Sequence, residues 1–425
     1  GWHEARIPTI AYMVPRAAWR FAIRNITENV GIPVIASNRI NTPEVAEDII
    51  ASGDAQMVSM ARPMLADPHF ALKVTEGRAN EINTCIGCNQ ACLDFIFTDR
   101  VTSCLVNPKA ARELEFESAP SVTDTPKKVA VVGAGPAGLS AACTAAERGH
   151  DVTLYEASNE IGGQLNLAKI IPDKTEFYEM IRYFDSQLDK FGIDTRLNTK
   201  VEPDSLADHY DAIIIATGIV PRVPDIPGID HASVITYLDL LTGKAQAGKK
   251  VAILGAGGIG FDVAVLLAHG KGDCAPNTEE FLRKWGVDTT MTEHGSLAKS
   301  GPVFPAPAHE ITMLQRKPKA LGRSLGLTSG WVLRSELDAA GMTAIPGATY
   351  LKIDDAGLHY SIDGEEKLLA VDTIVLCTGQ EPNSELAATM QAAQINCQVI
   401  GGAAEAKELD ALAAISQGME AALSI

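Results

Sequence analysis

The sequence predicts an α/β chain: the C-terminal remnant of a (β/α)₈ barrel, followed by two Rossmann-like domains of the dinucleotide-binding kind. Three observations lead there. Strand and helix signals alternate over residues 1–80, a glycine-rich strand–turn–helix signature occurs twice, at 133–138 and 255–260, and four closely spaced cysteines stand between these patterns. A length of 425 residues suits two or three domains at about 150 residues each. A hydrophobic share of 46% and a charged share of 21% are globular values and leave wholesale disorder out. Lys and Arg number 36 against 53 Asp and Glu, a net charge of −17, which excludes nucleic acid or an anionic membrane surface as the main partner. An anionic ligand must then be held by a few placed Arg or Lys. No uncharged apolar run reaches the roughly 18 residues of a spanning helix. The chain opens on Gly1, Trp2, His3 and Glu4 without an initiator Met or a basic-then-apolar leader, and so reads as processed or truncated.

In residues 1–80, helical spacing over 15–29 leads to a short apolar run at 33–37. A second helix signal at 42–53 has Thr42 as N-cap, Pro43 at the first helical position and a closing Gly53, and a second apolar run follows at 57–61. Strand and helix alternating at this pitch make βαβ units on a parallel sheet. Two complete units are visible where a barrel needs eight, so the region reads as a barrel tail without its beginning. Barrel strands 7 and 8 commonly end at a phosphate site, which makes Arg39, Ala61 and Arg62 candidates for the phosphate of FMN. Ordinary salt bridges are the alternative for the two arginines. His3 falls at the C-terminal end of the preceding strand, the face where barrel enzymes work, although a lone His is more often structural.

Residues 81–126 hold Cys85, Cys88, Cys92 and Cys104, then a polar Pro/Ser/Thr/Asp linker at 118–126. Three close thiolates and one distant thiolate can wrap an iron–sulfur cube, and the four-iron form is expected. Structural zinc, which prefers two paired knuckles, and four unconnected thiols are the alternatives. Cys143, Cys274, Cys377 and Cys397 stand singly in apolar surroundings. This is the usage of a reducing cytoplasm with one metal site, not of a secreted disulfide scaffold.

The first glycine loop, Gly133, Ala134, Gly135, Pro136, Ala137 and Gly138, follows the run VAVV and opens a helix. Its glycines allow a tight turn, close approach of a pyrophosphate and helix-on-strand packing, while the helix N-terminus offers free N–H groups. Glu156 ends the next strand, 18 residues after Gly138, placed to accept ribose hydroxyls, and Gly163 and Gln164 follow it. A glycine turn without a ligand is the bland alternative; strand, helix and acid in order favour an adenine dinucleotide, FAD. The second loop contains Gly255, Gly257, Gly258 and Gly260. Its next strand ends not on an acid but on Gln315, Arg316 and Lys317, where a basic pair suits a 2′-phosphate and hence NADPH; a solvated basic surface is the alternative. Thr217–Gly218 and Thr378–Gly379 each close an apolar strand, as where two nucleotide domains join. Near the C-terminus Gly402 is expected beside the flavin chain, where Ala403 and Ala404 stand in place of the usual Asp and Glu405 is the nearest acid. The expected domains are 1–80 (barrel tail), 81–126 (cluster and linker), 127–245 with 370–425 (FAD) and 246–369 (NADPH), with 271–309 as a long surface excursion.

The segments GWHEARIPT, SNRINTPEVA, SMARPMLADP, INTCIGCNQACLD, both glycine loops and MLQRKPKALGRSLGLTSGW together resemble the bacterial NADPH-dependent 2,4-dienoyl-CoA reductases, along the whole chain. The resemblance implies an old-yellow-enzyme barrel with FMN, a 4Fe-4S cluster and a glutathione-reductase-like half with FAD and NADPH. It also implies that electrons pass from NADPH to FAD, singly through the cluster to FMN, and as hydride to a dienoyl thioester. The product is an enoyl-CoA in the oxidation of unsaturated fatty acids. A Tyr of the family protonates the dienolate and a His of this motif assists. The resemblance therefore makes His3 a catalytic residue and puts Glu4, Ala5 and Arg6 at the substrate. The barrel half that carries the Tyr is absent from the sequence, which reads as the C-terminal part of the enzyme.

Four readings compete: the reductase itself, with an enoate reductase close by; an amine dehydrogenase of the same architecture; a disulfide reductase of the thioredoxin-reductase kind; and an electron-input fragment acting as an NADPH diaphorase. Arg316 and Lys317 argue against the amine dehydrogenase, which does not use NADPH. The disulfide reductase needs a CxxC at a flavin, and the only CxxC here, Cys85 to Cys88, belongs to the cysteine group.

Overall fold

The computed structural model describes residues 6–116, 122–271, 277–406 and 410–425. His3, Glu4, Ala5 and Cys274 lie outside the described residues. Strand β1 (Ile35–Ala36) pairs in parallel with β2 (Met57–Val58), in the register Ile35 to Met57. Helix α1 (Arg20–Asn29) precedes β1, and α2 (Pro43–Ala51) connects the two strands. The start of α2 is as its sequence dictates: the Thr42 hydroxyl accepts the Val45 N–H, and Pro43 takes the first turn. Arg20 and Arg24 both reach Asp54, which is 2% exposed, and so tie α1 to the turn before β2. Ile32, Ile35 and Met57 are each at least half exposed, the apolar face that two βα units present when they stand alone.

The first nucleotide-type domain is a five-stranded parallel sheet in the order β17-β6-β3-β4-β5. Its strands are β3 (Lys128–Val132), β4 (Asp151–Tyr155), β5 (Asp194–Arg196), β6 (Ala212–Ile215) and β17 (Gln398–Val399). Val129, Val131, Leu154 and Ile214 are buried on one face and Ala130, Ile213 and Ile215 on the other, as the near-continuous apolar strands of a parallel sheet require. Helix α3 (Pro136–Glu147) crosses from β3 to β4, and α8 (Ala411–Leu423) lies along it. Gly418 permits that closeness: a Cβ there would sit 2.1 Å from the Ala137 carbonyl oxygen.

The second domain repeats the plan with the order β11-β10-β9-β15-β8. Its strands are β8 (Val234–Thr236), β9 (Lys250–Leu254), β10 (Glu310–Leu314), β11 (Thr343–Ile345) and β15 (Thr373–Leu376). This corrects the expected boundaries at 245/246 and 369/370, since β8 and β15 pair within this sheet. A fully apolar strand announces burial but not which sheet buries it. The chain crosses between domains at an antiparallel ribbon of β7 (Ile219–Pro221) and β16 (Gln380–Pro382). A three-stranded antiparallel sheet, β12 (Thr349–Asp354), β13 (Gly357–Ile362) and β14 (Glu365–Leu369), is added to one end.

The excursion between α5 (Gly258–His269) and β10 is exposed or half-exposed over 288–310 but is anchored by a buried stretch at 281–287. Helix α6 (Thr278–Lys284) and the turn after it bury Phe281, Leu282, Trp285 and Val287 against Ile7, Ala11, Tyr12, Met13, Val14 and Ala18 of the barrel remnant, with Val332 of α7 (Gly330–Ala339). Among the described residues, no helix is long and apolar enough to cross a membrane. Helix α4 (Tyr178–Phe191) packs on α3 and faces the cysteine segment.

Candidate functional site

The three glycines of the first loop have three separate duties. Gly133 has φ +108°, and a Cβ on it would lie 2.3 Å from the Ala216 carbonyl oxygen. At Gly138 a Cβ would lie 1.8 Å from the Gly133 carbonyl oxygen. The first glycine makes the turn and the third lets helix meet strand. Gly135, the helix N-cap, faces open space with nothing within 4 Å of its Cβ position. That opening beside the first N–H groups of α3 is a cradle for an anion. Glu156 lies at the end of β4, its carboxylate accepting the Ala134 and Ser158 N–H groups at 2.8 Å each. Gly163 approaches the Gly135 Cα, and Gln164 opens the short helix that follows. Gly402 is pressed against Ile219 and Gly218, and Thr217 donates its hydroxyl to the Asn383 carbonyl. Ala137, Gly218 and residues 401–403 therefore gather at the mouth of α3.

The second loop has the same anatomy. A Cβ at Gly255 (φ +116°) would meet the Cys377 carbonyl oxygen at 2.1 Å, and one at Gly260 would meet the Gly255 carbonyl oxygen at 2.1 Å. Gly257 and Gly258 face open space at the head of α5. β10 is the parallel neighbour of β9, so its end is the strand end beside this loop. Arg316 and Lys317 are exposed there, and the Gln315 side chain pins their turn by donating to the Lys317 and Lys319 carbonyls.

The four cysteines lie between the barrel remnant and α4, all with free thiols. Burial pushes the Cys88 thiol well above its usual range, and Cys104, Cys85 and Cys92 add to the rise. Burial first, then the other thiols, pushes Cys104 up to about 12. Backbone N–H groups already point at the sulfurs: Gln90 at Cys88, Leu93 at Cys92, and Val106 and Asn107 at Cys104. Cys88 is buried and the other three are half-buried; together they form a thiol donor set short of positive charge, which a cationic iron–sulfide core would supply. Among the described residues, no three His, Cys, Asp or Glu side chains converge as tightly as a single metal ion demands. A tetrahedral zinc would draw its sulfurs within about 4 Å of each other.

Arg62 starts a short helix after Ala61 and donates to the Asn89 Oδ1 at 2.6 Å, inside the cysteine loop. Arg39 lies at the end of β1 and is engaged by protein groups. It is 4% exposed, its Nε donates to the Val14 carbonyl, and its Nη2 pairs with Glu176. A buried guanidinium needs a fixed anion, and the first domain provides it as a carboxylate. Arg6 is exposed.

Glu176, Asp94 and Asn41 were not singled out from the sequence. Glu176 accepts from Arg16 (2.9 and 2.7 Å), Arg39 and Asn41, and Asn41 also donates to the Cys85 carbonyl at 2.8 Å. One carboxylate thereby joins the barrel remnant, the cysteine loop and the first domain. Asp94, two residues past Cys92, accepts the Thr328 N–H and hydroxyl at 2.8 and 2.6 Å, fastening the second domain to the cysteine segment. The only local signal was the density of polar residues around otherwise apolar runs.

Fold and site together define a flavin- and nicotinamide-dependent oxidoreductase built of a barrel remnant and two Rossmann-like domains. Residues 127–408 match the pyridine nucleotide-disulphide oxidoreductase family, and the chain belongs to it. Residues 1–81 match the NADH:flavin oxidoreductase / NADH oxidase family. The chain is 34% identical over 414 residues to a metal reductase of Desulforamulus reducens, covering 96% of this chain and 60% of that protein. It is 32% identical to an NADH oxidase of Thermoanaerobacter brockii, covering 96% and 58%. The structure of a 2-naphthoyl-CoA reductase in complex with 2-naphthoyl-CoA superposes with a TM-score of 0.85 at 31% identity, over 100% of this chain and 59% of that one. The chain thus spans about three fifths of the length of the relatives it matches. These likenesses place it among oxidoreductases in which the two families are joined in one chain.

Proposed function

We propose that this chain is the electron-input part of an NADPH-dependent 2,4-dienoyl-CoA reductase, an enzyme that reduces a dienoyl thioester to an enoyl-CoA. The observation that carries the reading is the fastening of two dinucleotide cradles, one ending in an acid and one in a basic pair, to a single four-cysteine segment. In this reading the first loop holds FAD through Gly133–Gly138 backbone groups, with Glu156 on the ribose and Gly163, Gln164, Thr217, Gly218 and Gly402 around the flavin chain. The second loop holds NADPH through Gly255, Gly257, Gly258 and Gly260, with Arg316 and Lys317 on the 2′-phosphate. Cys85, Cys88, Cys92 and Cys104 ligate a 4Fe-4S cluster, and Ala61 and Arg62 face the FMN phosphate. When bound, the flavins and the cluster convert the two-electron chemistry of NADPH into single transfers and back. The residues do the rest: burial at the cysteines excludes water, Glu176 keeps barrel and first domain in register, and His3 assists protonation of the reduced substrate. The likeness to a 2-naphthoyl-CoA reductase supports a CoA thioester as the substrate class.

Anaerobic purification with quantification of FAD, FMN, iron and sulfide tests this. FAD with about four irons and matching sulfide is expected, together with NADPH oxidation coupled to artificial acceptors. Zinc without sulfide overturns the electron-transfer reading. Dienoyl-CoA left untouched by the full-length protein, while other enoates turn over, overturns the substrate.

A further inference from the structure

Asn89 lies between Cys88 and Cys92, is 1% exposed, and holds the left-handed conformation at φ +64°. Its backbone carbonyl accepts the Asp94 N–H at 3.0 Å, closing the turn that carries Cys92. Arg62 Nη1 contacts its side chain at 2.6 Å. A guanidinium only donates, so that contact fixes the oxygen of the amide toward Arg62 and turns the nitrogen the other way. The nitrogen has no hydrogen-bond partner. A buried amide donor without an acceptor is costly and rare, and this one is held in place by a charged residue.

We propose that the Asn89 amide donates a hydrogen bond to a sulfur of the iron–sulfur cluster and raises its reduction potential, with Arg62 as the residue that orients it. The inference rests on the cluster reading above. The reduced cluster carries one more negative charge than the oxidised one, so an N–H donor at its sulfur stabilises the reduced form more. Backbone N–H groups already serve Cys88, Cys92 and Cys104. Asn89 adds a side-chain donor, the one contribution there that substitution can remove. Asn89 is a positioning residue in this scheme, not a catalytic one.

The test uses the full-length protein loaded with iron and sulfide under anaerobic conditions. Asn89→Gly accepts the left-handed backbone and deletes the donor; Asn89→Asp keeps shape and the Arg62 contact but cannot donate when ionised. Iron, FMN and the midpoint potential of the cluster, read by its electron paramagnetic resonance signal, are measured together. The expected result is unchanged iron with about a tenfold lower ratio of reduced to oxidised cluster at fixed potential, a fall of about 59 mV for one electron. A fall is expected in Asn89→Asp as well, and that variant decides should Asn89→Gly lose its iron. A wild-type potential in the iron-loaded variants overturns the proposal, and a simultaneous loss of FMN would hand the amide to the flavin phosphate instead. Absence of iron from the wild-type protein would overturn the cluster reading itself, a separate outcome.

Discussion

The two Rossmann-like domains are near copies in backbone and opposites in side chains. Both turn on a glycine that a Cβ would drive into the carbonyl of the neighbouring strand end, Ala216 in one and Cys377 in the other. Both leave the middle of the loop open at a helix N-terminus. Yet the strand beside the first loop ends in Glu156, bonded into the loop, while the strand beside the second ends in exposed Arg316 and Lys317. The contrast extends to their anchors. Glu176, of the first domain, is held by two arginines; burial, the largest influence, pushes its carboxyl up, but Arg16 and Arg39 bring it below its usual 4.5. Glu336, of the second domain, is 2% exposed and has Lys284 at 2.7 Å; burial pushes it up to about 7. Shared backbone thus builds the same glycine turn twice, and a few charges set the two apart and decide how firmly each domain is moored.

Breaking the shared backbone should have the largest effect. Gly133→Ala and Gly255→Ala each force a side chain onto a backbone carbonyl at positive φ and should cost about 3–5 kcal/mol, read by denaturant unfolding. Gly135→Ala sharpens the point: with open space at its Cβ position, stability should change by only about 0.5 kcal/mol while flavin content drops. Equal destabilisation by Gly135→Ala would refute the division of duties among the glycines.

The anchors should respond to pH with opposite sign. Glu176, its pKa lowered, contributes stability present above pH 4.5 and lost as pH falls further. Glu336 keeps its proton in the folded state up to about 7, while the unfolded chain releases it near 4.5. The folded state then binds more protons through that window, and stability falls by about 3 kcal/mol as pH rises across it. Glu336→Gln should flatten this slope in unfolding measured from pH 4.5 to 7.5 and leave the acid limb intact. A slope that survives the substitution assigns it elsewhere.

The smallest effect should come from the basic pair. Arg316→Ala with Lys317→Ala removes charge-assisted contacts worth about 1.5–3 kcal/mol, and should raise KM for NADPH about 10- to 100-fold with NADH little changed. Equal losses for both nucleotides would make the pair a solvated surface.

Much of this arrangement was legible in the sequence because its causes are local. Thr42 and Pro43 start a helix, glycine spacing makes a turn, and an apolar run between glycines makes a buried strand. What escaped was set by distance along the chain. Arg16 and Glu176 are separated by 160 positions, Asp94 and Thr328 by 234, and nothing near either partner names the other. Arg39 shows the same limit in chemistry: an arginine at a strand end suits a phosphate or a carboxylate equally well, and only the folded chain discloses Glu176. Sheet membership of β8 and β15 was likewise hidden, since apolar composition is the same in either sheet.

The apolar seam between the excursion around Trp285 and residues 7–18 has a mechanical consequence. The β7/β16 ribbon alone would be a hinge, leaving the second domain free to pivot. The excursion and the Asp94–Thr328 bonds attach it again and close the path from barrel remnant through both domains into a ring, and a ring pivots only by melting one of its joints.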